Sequence, residues 1–232
     1  MAATLSSRNE PMTTPAFSIH PTEPRLRIYR RRDAVVFRRA ADEFGGLSNM
    51  TSEFPVVVGD VRACSSEALY QACRFPHLPE VQLMILSERS PMTAKMKSKP
   101  HRGDSRADWE QVRVAVMRWC LRVKLVTNWG RFGSLLLATG ERPIVEDSSK
   151  DTFWGAKLEA DDELIGENVL GRLLMELREL LRARPEQLHE VSPPSVSSFL
   201  LLGQPVPVVT LAEAPPDMPR VSANSSGRSW GG

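Results

Sequence analysis

Asp108-Trp109-Glu110-Gln111-Val112-Arg113-Val114-Ala115-Val116-Met117-Arg118-Trp119-Cys120-Leu121-Arg122-Val123 is the stretch that decides the fold class. Trp109, Val112, Val116, Trp119, Cys120 and Val123 recur at three- and four-residue steps, which predicts a helix with one apolar stripe. Asp108 with Gln111 three residues on resembles a capping box and marks where that helix opens. Downstream, Glu167 to Arg182 places Val169, Leu170, Leu173, Leu174, Leu177, Leu180 and Leu181 on a broad face, so a second long helix is expected at the centre of the core.

Shorter helices surround these two. Ser65 or Ser66 caps one that runs to Phe75, where Pro76 disfavours helical geometry at its predecessor. Another spans about Pro79 to Glu88, Ser90-Pro91 opens the next with an N-cap and a proline in its first position, and Phe132 to Thr139 is closed by Gly140. Val35-Val36-Phe37 and Val56-Val57-Val58 read as short strands, the second turning through Gly59-Asp60 into Val61 to Cys64 as a tight hairpin. The expected fold class is therefore α+β and α-rich: a single compact helical domain with a small strand or hairpin element near its N-terminal edge.

That domain is expected over residues 34–184 of the 232. Residues 1–33 form the expected flexible arm, since residues 1–24 have too few bulky apolar groups to offset the entropy of ordering. Residues 185–232 hold eight of the 18 prolines and end in Ser, Gly and Asn, which predicts a second tail. Within it, Phe199 to Leu202 and Val206 to Leu211 are too apolar for a pure linker; docking on the domain and docking on a partner both stay open.

Apolar residues at 41% and charged residues at 25% suffice for a real core, and the net charge of +2 is far from the basic excess of a dedicated duplex-DNA binder. Three cysteines without CxxC spacing and four scattered histidines give neither a disulfide framework nor a zinc site. No apolar run approaches the ~18–20 residues that cross a bilayer, so a cytoplasmic chain without a membrane partner is expected. The basic run Arg25, Arg27, Arg30, Arg31, Arg32 reads as a solvated arm, with salt-sensitive attraction to nucleic acid as its other reading.

Four blocks carry residue types suited to chemistry. In Ser65 to Phe75, helical spacing gathers Glu67, Tyr70, Gln71 and Arg74 on one side, either as a binding face or as a solvated one beside a first-turn acid. Val145 to Gly155 is a polar loop ending in Phe153-Trp154-Gly155, which either contacts a ligand or anchors itself on the core through its aromatics. Gly166 to Gly171 is a helix start where orphan N–H groups and Asn168 could hold a phosphate, while Gly171 could equally admit a neighbouring helix. Gly45 to Met50 is a polar turn that reads by itself as structural, and Lys124 flanks the apolar stripe of the Asp108 helix, its ammonium reaching a pocket or snorkelling to water.

Taken together and in order, these blocks resemble the NADAR, or YbiA-like, family over about residues 36–182. The matching segments are an F-S-N-F-like turn (Leu47-Ser48-Asn49-Met50), an S-E-x-x-Y/F-Q-A block (Ser66 to Ala72), Ser90-Pro91-Met92, a W-x-x-V-x-x-x-V-M helix (Trp109 to Met117) and Leu137-x-Thr139-Gly140. Two more specific blocks follow, a V-E-x-x-x-x-D-x-x-W-G loop and N-x-L-G-x-x-L-M-E-L-R-E. The resemblance implies an N-glycosidase that hydrolyses the C1′–N bond of a nucleotide-like substrate, either a phosphoribosylated riboflavin-pathway intermediate or ADP-ribose on a guanine base, free or on nucleic acid. It carries site roles onto Asn49, Glu67, Tyr70, Gln71, Asp151, Trp154, Gly155 and Asn168.

Arg74 departs from the resemblance, because many relatives carry lysine at that point of the block. Arginine stays protonated and cannot form a Schiff base, so it suits a phosphate clamp rather than a nucleophile, and Lys124 becomes the amine expected in the site. Within the implied reaction, Glu67 is the expected carboxylate opposite the positive charge that builds on the ribose, Trp154 the flat face for the base, and Asp151 the group that orients water, a hydroxyl or the leaving base. The scheme requires no metal and no cofactor. Two rivals remain: a catalytically weak ADP-ribose or NAD-binding module, suggested by Arg74, and a tail-mediated interaction or nucleic-acid-binding protein, suggested by the arginines and the apolar patches after Phe199.

Overall fold

The computed structural model describes residues 25–211. In chain order the elements are β1 (Arg27–Arg30), β2 (Val35–Phe37), β3 (Val56–Val58), β4 (Val61–Ala63), α1 (Ser66–Ala72), α2 (Pro79–Leu86), α3 (Pro91–Ser98), α4 (Trp109–Thr127), α5 (Trp129–Leu137), β5 (Ile144–Glu146), β6 (Lys157–Ala160), β7 (Glu163–Gly166), α6 (Val169–Ala183), β8 (Glu190–Val191), β9 (Leu200–Leu201), β10 (Gln204–Pro205) and β11 (Val209–Thr210). None of the helices among the described residues is long and apolar enough to cross a membrane.

Helix α4 is the axis of the domain. Its stripe of Trp109, Val116, Trp119, Cys120 and Val123 is buried, and it packs against α1, α5, α6, β3 and β8. It starts where the periodicity predicts, but not through a capping box: the Asp108 carboxylate is taken by Arg106, whose Nε and Nη2 donate to it at 2.5 and 3.0 Å. Helix α6 buries Val169, Leu170, Leu173, Leu174, Leu177 and Leu181. At α1 the Ser65 hydroxyl accepts from the Ala68 N–H at 3.1 Å, the expected N-cap, while the helix stops at Ala72 and leaves Cys73 to Phe75 in tighter turns. The hairpin β3–β4 forms around Gly59, whose φ of +55° is the left-handed turn geometry that glycine adopts freely.

Strand structure is not confined to the N-terminal edge. Strand β2 pairs in parallel with the distant β5, matching Val35 to Ile144 and Phe37 to Glu146. Strands β1, β7 and β6 form an antiparallel sheet in that order, so Arg27 to Arg30 are a paired strand instead of part of a free arm. Strands β1, β5, β6 and β7 are three or four residues long and β6 is exposed throughout, so no alternation announces them, and β1 and β5 find their partners far away in sequence.

The segment after Arg184 likewise departs from the expected tail. Residues 185–211 run back over the domain as a strap that buries Leu188, Val191, Phe199, Leu201, Val206 and Val209 in the main core. The fully buried Gln82 ties it down: its amide nitrogen donates to the carbonyls of Ala72 (3.1 Å) and Leu200 (3.0 Å), and its oxygen accepts from the Leu202 N–H (2.6 Å). The apolar patches read in the sequence thus dock on their own domain. The readings made for residues 1–24 and 212–232 lie outside the described residues.

Phe199 meets Trp119 edge to face, with ring centroids 5.2 Å apart. Phe199→Ala should therefore lower the unfolding free energy by about 3 kcal/mol or more, the scale for deleting a buried aromatic ring. Denaturant unfolding measures this; a change within ~0.5 kcal/mol, as for surface substitutions, would show that the strap rests on the domain without stabilising it.

Candidate active site

The site begins at the first turn of α1, a helix buried on all sides. Glu67 is 2% exposed, and a carboxylate so desolvated needs donors. The Asn49 amide donates to Oε2 at 2.5 Å, the Gln71 amide donates to Oε1 at 2.8 Å, and Lys95 on α3 brings its ammonium to 3.4 Å from Oε1. The backbone carbonyl of Asn49 also accepts from the Glu67 N–H, so the Asn49 turn and the helix hold each other. Gln71 is fixed in turn by the Ser98 hydroxyl, which donates to its oxygen at 2.9 Å.

One wall is aromatic. Tyr70 lies between Trp109 (4.9 Å between centroids) and Trp154 (5.7 Å, edge to face), and burial, then the nearby Glu67, holds its phenol well above the usual tyrosine range. Arg74 covers the Trp109 ring at 4.7 Å, and its buried Nε has no acceptor. Burial lowers the guanidinium's proton affinity and Tyr70 opposes this, which leaves a cation on the wall with donors to spare. Arg113 stacks on Phe153 at 3.8 Å and extends the same wall.

The opposite side is the end of β5 and the loop after it. Ile144 faces the main core and Val145 a second cluster with Ala34 and Leu164, so strand alternation turns Glu146 toward the face of Ile144, the main-core side. Glu146 is pushed up to about 7, first by burial, then by the charges of Glu67 and Asp151, with Lys95 opposing. Asp151 accepts from the Phe153 and Trp154 N–H groups at 3.1 and 2.9 Å, so its carboxylate both shapes the turn that presents Trp154 and adds charge to the cluster. Glu67 and Asp151 thus act together on Glu146, and Lys95 offsets them in part.

The structure brings together Asn49, Glu67, Tyr70, Gln71, Arg74, Asp151 and Trp154 of the expected residues. Three others have different work. Lys124 is fully buried in the core, where its Nζ donates to the carbonyls of Gly46 (2.7 Å) and Ser48 (2.9 Å) over the Phe132 ring; it braces the turn that carries Asn49 from behind and does not enter the site. Asn168 sits in the left-handed region (φ 49°), where asparagine is tolerated, and spends both ends of its amide on β5: Nδ2 donates to Ile144 O and Oδ1 accepts from Glu146 N. The α6 N-terminus holds no anion, because Thr152, Phe153, Trp154 and Gly155 turn their carbonyls onto the N–H groups of residues 167–170. Gly155 admits β5: a Cβ there would stand 2.5 Å from the Glu146 carbonyl. Gly171 does the same, its Cβ position lying 2.1 Å from the Ile144 carbonyl, so it admits a strand instead of a helix.

Sequence reasoning missed Lys95, Ser98 and Glu146 as members of the site. Glu146 lies inside the loop block already singled out, and Lys95 and Ser98 follow the Ser90-Pro91 helix start, so the signals were the blocks themselves. Among the described residues no group of three or more His, Cys, Asp and Glu could hold a metal ion.

Comparison with known proteins gives one family and a consistent set of relatives. A model described as the NADAR domain matches residues 36–182. The chain is 33% identical to the N-glycosidase YbiA of Escherichia coli (strain K12) over 151 residues, covering 65% of this chain and 90% of that one. It is 32% identical over 168 residues to a riboflavin biosynthesis protein of Vibrio vulnificus, covering 72% of this chain but spanning only 41% of that protein's length. The NMR structure of E. coli YbiA superimposes with a TM-score of 0.57 at 33% identity, over 67% of this chain and 88% of the other.

The reassignment of Lys124 has a measurable consequence. Lys124→Met strips two buried carbonyls of their donor and should destabilise the fold by about 1–3 kcal/mol. Burial pushes the Lys124 ammonium down to about 7, so the unfolded chain keeps a proton that the folded one releases between there and the ordinary lysine value. The group's contribution to stability is then full above the unfolded value and is lost as pH falls toward 7. The gap between wild type and variant should widen from about pH 7 to about pH 10 in denaturant unfolding. A variant that keeps its stability at both pH values while losing turnover would return Lys124 to the catalytic site.

Proposed function

The chain belongs to the NADAR domain family, and we propose that it is an N-glycosidase acting on the C1′–N bond of a nucleotide-like substrate. The observation that carries this reading is Glu67: a buried carboxylate in the first turn of α1, fixed by two amides, one turn from the Tyr70 ring that meets Trp154 edge to face. Breaking a C1′–N bond builds positive charge on the ribose, and Glu67 offers a fixed negative group that needs no reorientation when that charge appears. Trp154 supplies the flat face for the base, and Arg74, with its unpaired donors, supplies a clamp for a substrate phosphate.

Relatives named as an N-glycosidase and as riboflavin biosynthesis proteins support this class of reaction. Within it, the substrate is a phosphoribosylated intermediate of riboflavin synthesis or ADP-ribose joined to a guanine base. The alternative, a catalytically weak ADP-ribose or NAD-binding module, is suggested by Arg74 in place of lysine and by Lys124, the expected amine, lying in the core. Lys95, 3.4 Å from Glu67, provides an amine, and that favours turnover.

Glu67→Gln keeps the shape but removes the charge, and it sets an amide against the donors of Asn49 and Gln71. With each candidate substrate, released base and sugar should fall by at least ~10²-fold, the scale for one such group. Circular dichroism and melting check that the variant is folded. Near-normal turnover in a folded Glu67→Gln protein would remove Glu67 from the chemistry and leave Asp151 as the carboxylate to examine.

A further inference from the structure

We propose that Glu146 is the proton donor to the departing nitrogen, because it stands at the end of β5 against the loop that sets Trp154 on Tyr70, and its carboxyl has no hydrogen-bond partner among the described residues. The proposal rests on the N-glycosidase reading and assigns the proton that such a reaction needs. A neutral base leaves slowly as an anion, so a group that protonates it in the transition state accelerates cleavage.

The three carboxylates are not equivalent. Both oxygens of Glu67 are engaged as acceptors, by the Asn49 amide and by the Gln71 amide. One oxygen of Asp151 is engaged by two backbone N–H groups of its own turn. The Glu146 carboxyl accepts no hydrogen bond among the described residues, and the charges of Glu67, Asp151 and Lys95 act on it. Its backbone, by contrast, is pinned: the N–H donates to Asn168 Oδ1 (3.2 Å) and the carbonyl accepts from Ala156 N–H (2.8 Å). A side chain on a fixed strand end with unoccupied oxygens is a group held ready for something outside the protein. The neighbouring acid, Asp147, faces away and pairs with Arg31 at 3.2 Å, so it does not share this role.

Burial first, then the charges of Glu67 and Asp151, push Glu146 up to about 7, so a substantial share of it carries a proton near neutral pH. In the step itself the C1′–N bond breaks with its electron pair going to the base, and the Glu146 proton passes to that nitrogen, so the base leaves neutral. Water adds its oxygen to C1′ and releases one proton, which restores the Glu146 carboxyl. Glu67 takes no part in this proton transfer and faces the charge on the ribose. The sum is glycoside plus water giving free base plus sugar.

The test uses the full chain with Glu146→Gln, wild type and Glu67→Gln. Each is assayed on a phosphoribosylated amine of the riboflavin type, on ADP-ribosylated guanine, and on 4-nitrophenyl riboside 5-phosphate, whose phenolate leaves without a proton. Glu146→Gln should lose at least ~10²-fold in base release and far less in nitrophenolate release, whereas Glu67→Gln should lose on both. A second readout needs no substrate. Because the folded-state value of Glu146 is raised above 4.5, wild-type stability is full below that point and falls as pH rises to about 7; Glu146→Gln should lack that fall. Equal losses on both kinds of leaving group, or melting curves with the same pH dependence in wild type and variant, overturn the proposal. A wild type that releases neither base nor nitrophenolate overturns the N-glycosidase reading and this proposal with it, a result distinct from failure of the variant alone.

Discussion

Glu67 places two acceptor oxygens where water does not reach, and much of the domain's geometry follows from supplying them with donors. One donor is Asn49, whose turn is held by the Lys124 ammonium on the carbonyls of Gly46 and Ser48. The other is Gln71, oriented by Ser98 at the end of α3, the helix that also supplies Lys95. Three elements separated in sequence, the Gly45 turn, α3 and α4, are thus registered against the first turn of α1. A polar network in the interior rigidifies its surroundings only when all its members are satisfied, and here the acceptors and donors match.

The local part of this arrangement was legible in the sequence. The α4 and α6 stripes, the Ser65 cap and the Gly59-Asp60 hairpin are written in residues a few positions apart, and each formed where its pattern stood. Val35 to Phe37 could be read as a strand, but its parallel pairing with β5 and the β1–β7–β6 sheet were not legible, since these strands are too short to show alternation and the partners of β1 and β2 lie more than one hundred residues away. The site divides in the same way. Glu67, Tyr70, Gln71 and Arg74 share one helix and could be grouped by spacing, whereas Lys95 belongs to a helix with no marked apolar face, among Lys97 and Lys99, and only the packing of α3 on α1 singles it out. Asn168 and Gly155 drew attention for chemistry, but their residue types answer backbone demands: a left-handed φ and an approach too close for a Cβ.

The strap joins this network from the other end. Gln82 bonds the carbonyl of Ala72, the last residue of α1, and both strands of the chain around Leu200 to Leu202. Arg106 does similar work, donating to the Ser197 carbonyl while its backbone N–H meets the carbonyl of Arg74. The end of α1 that leads into Arg74 therefore depends on residues beyond Arg184 for its hydrogen bonding, even though those residues contribute nothing to the cluster itself.

The four carbonyls of residues 152–155 spent on the start of α6 have a thermodynamic meaning for recognition. A loop tied down at four consecutive peptide groups has little conformational freedom left to surrender, and the Trp154 ring it carries is already braced by Tyr70 and Phe153. A base that stacks there loses affinity only to its own immobilisation and not to the ordering of the protein. Association at such a surface is governed by diffusion and desolvation, with selectivity resting on shape and charge complementarity rather than on a folding transition of the loop.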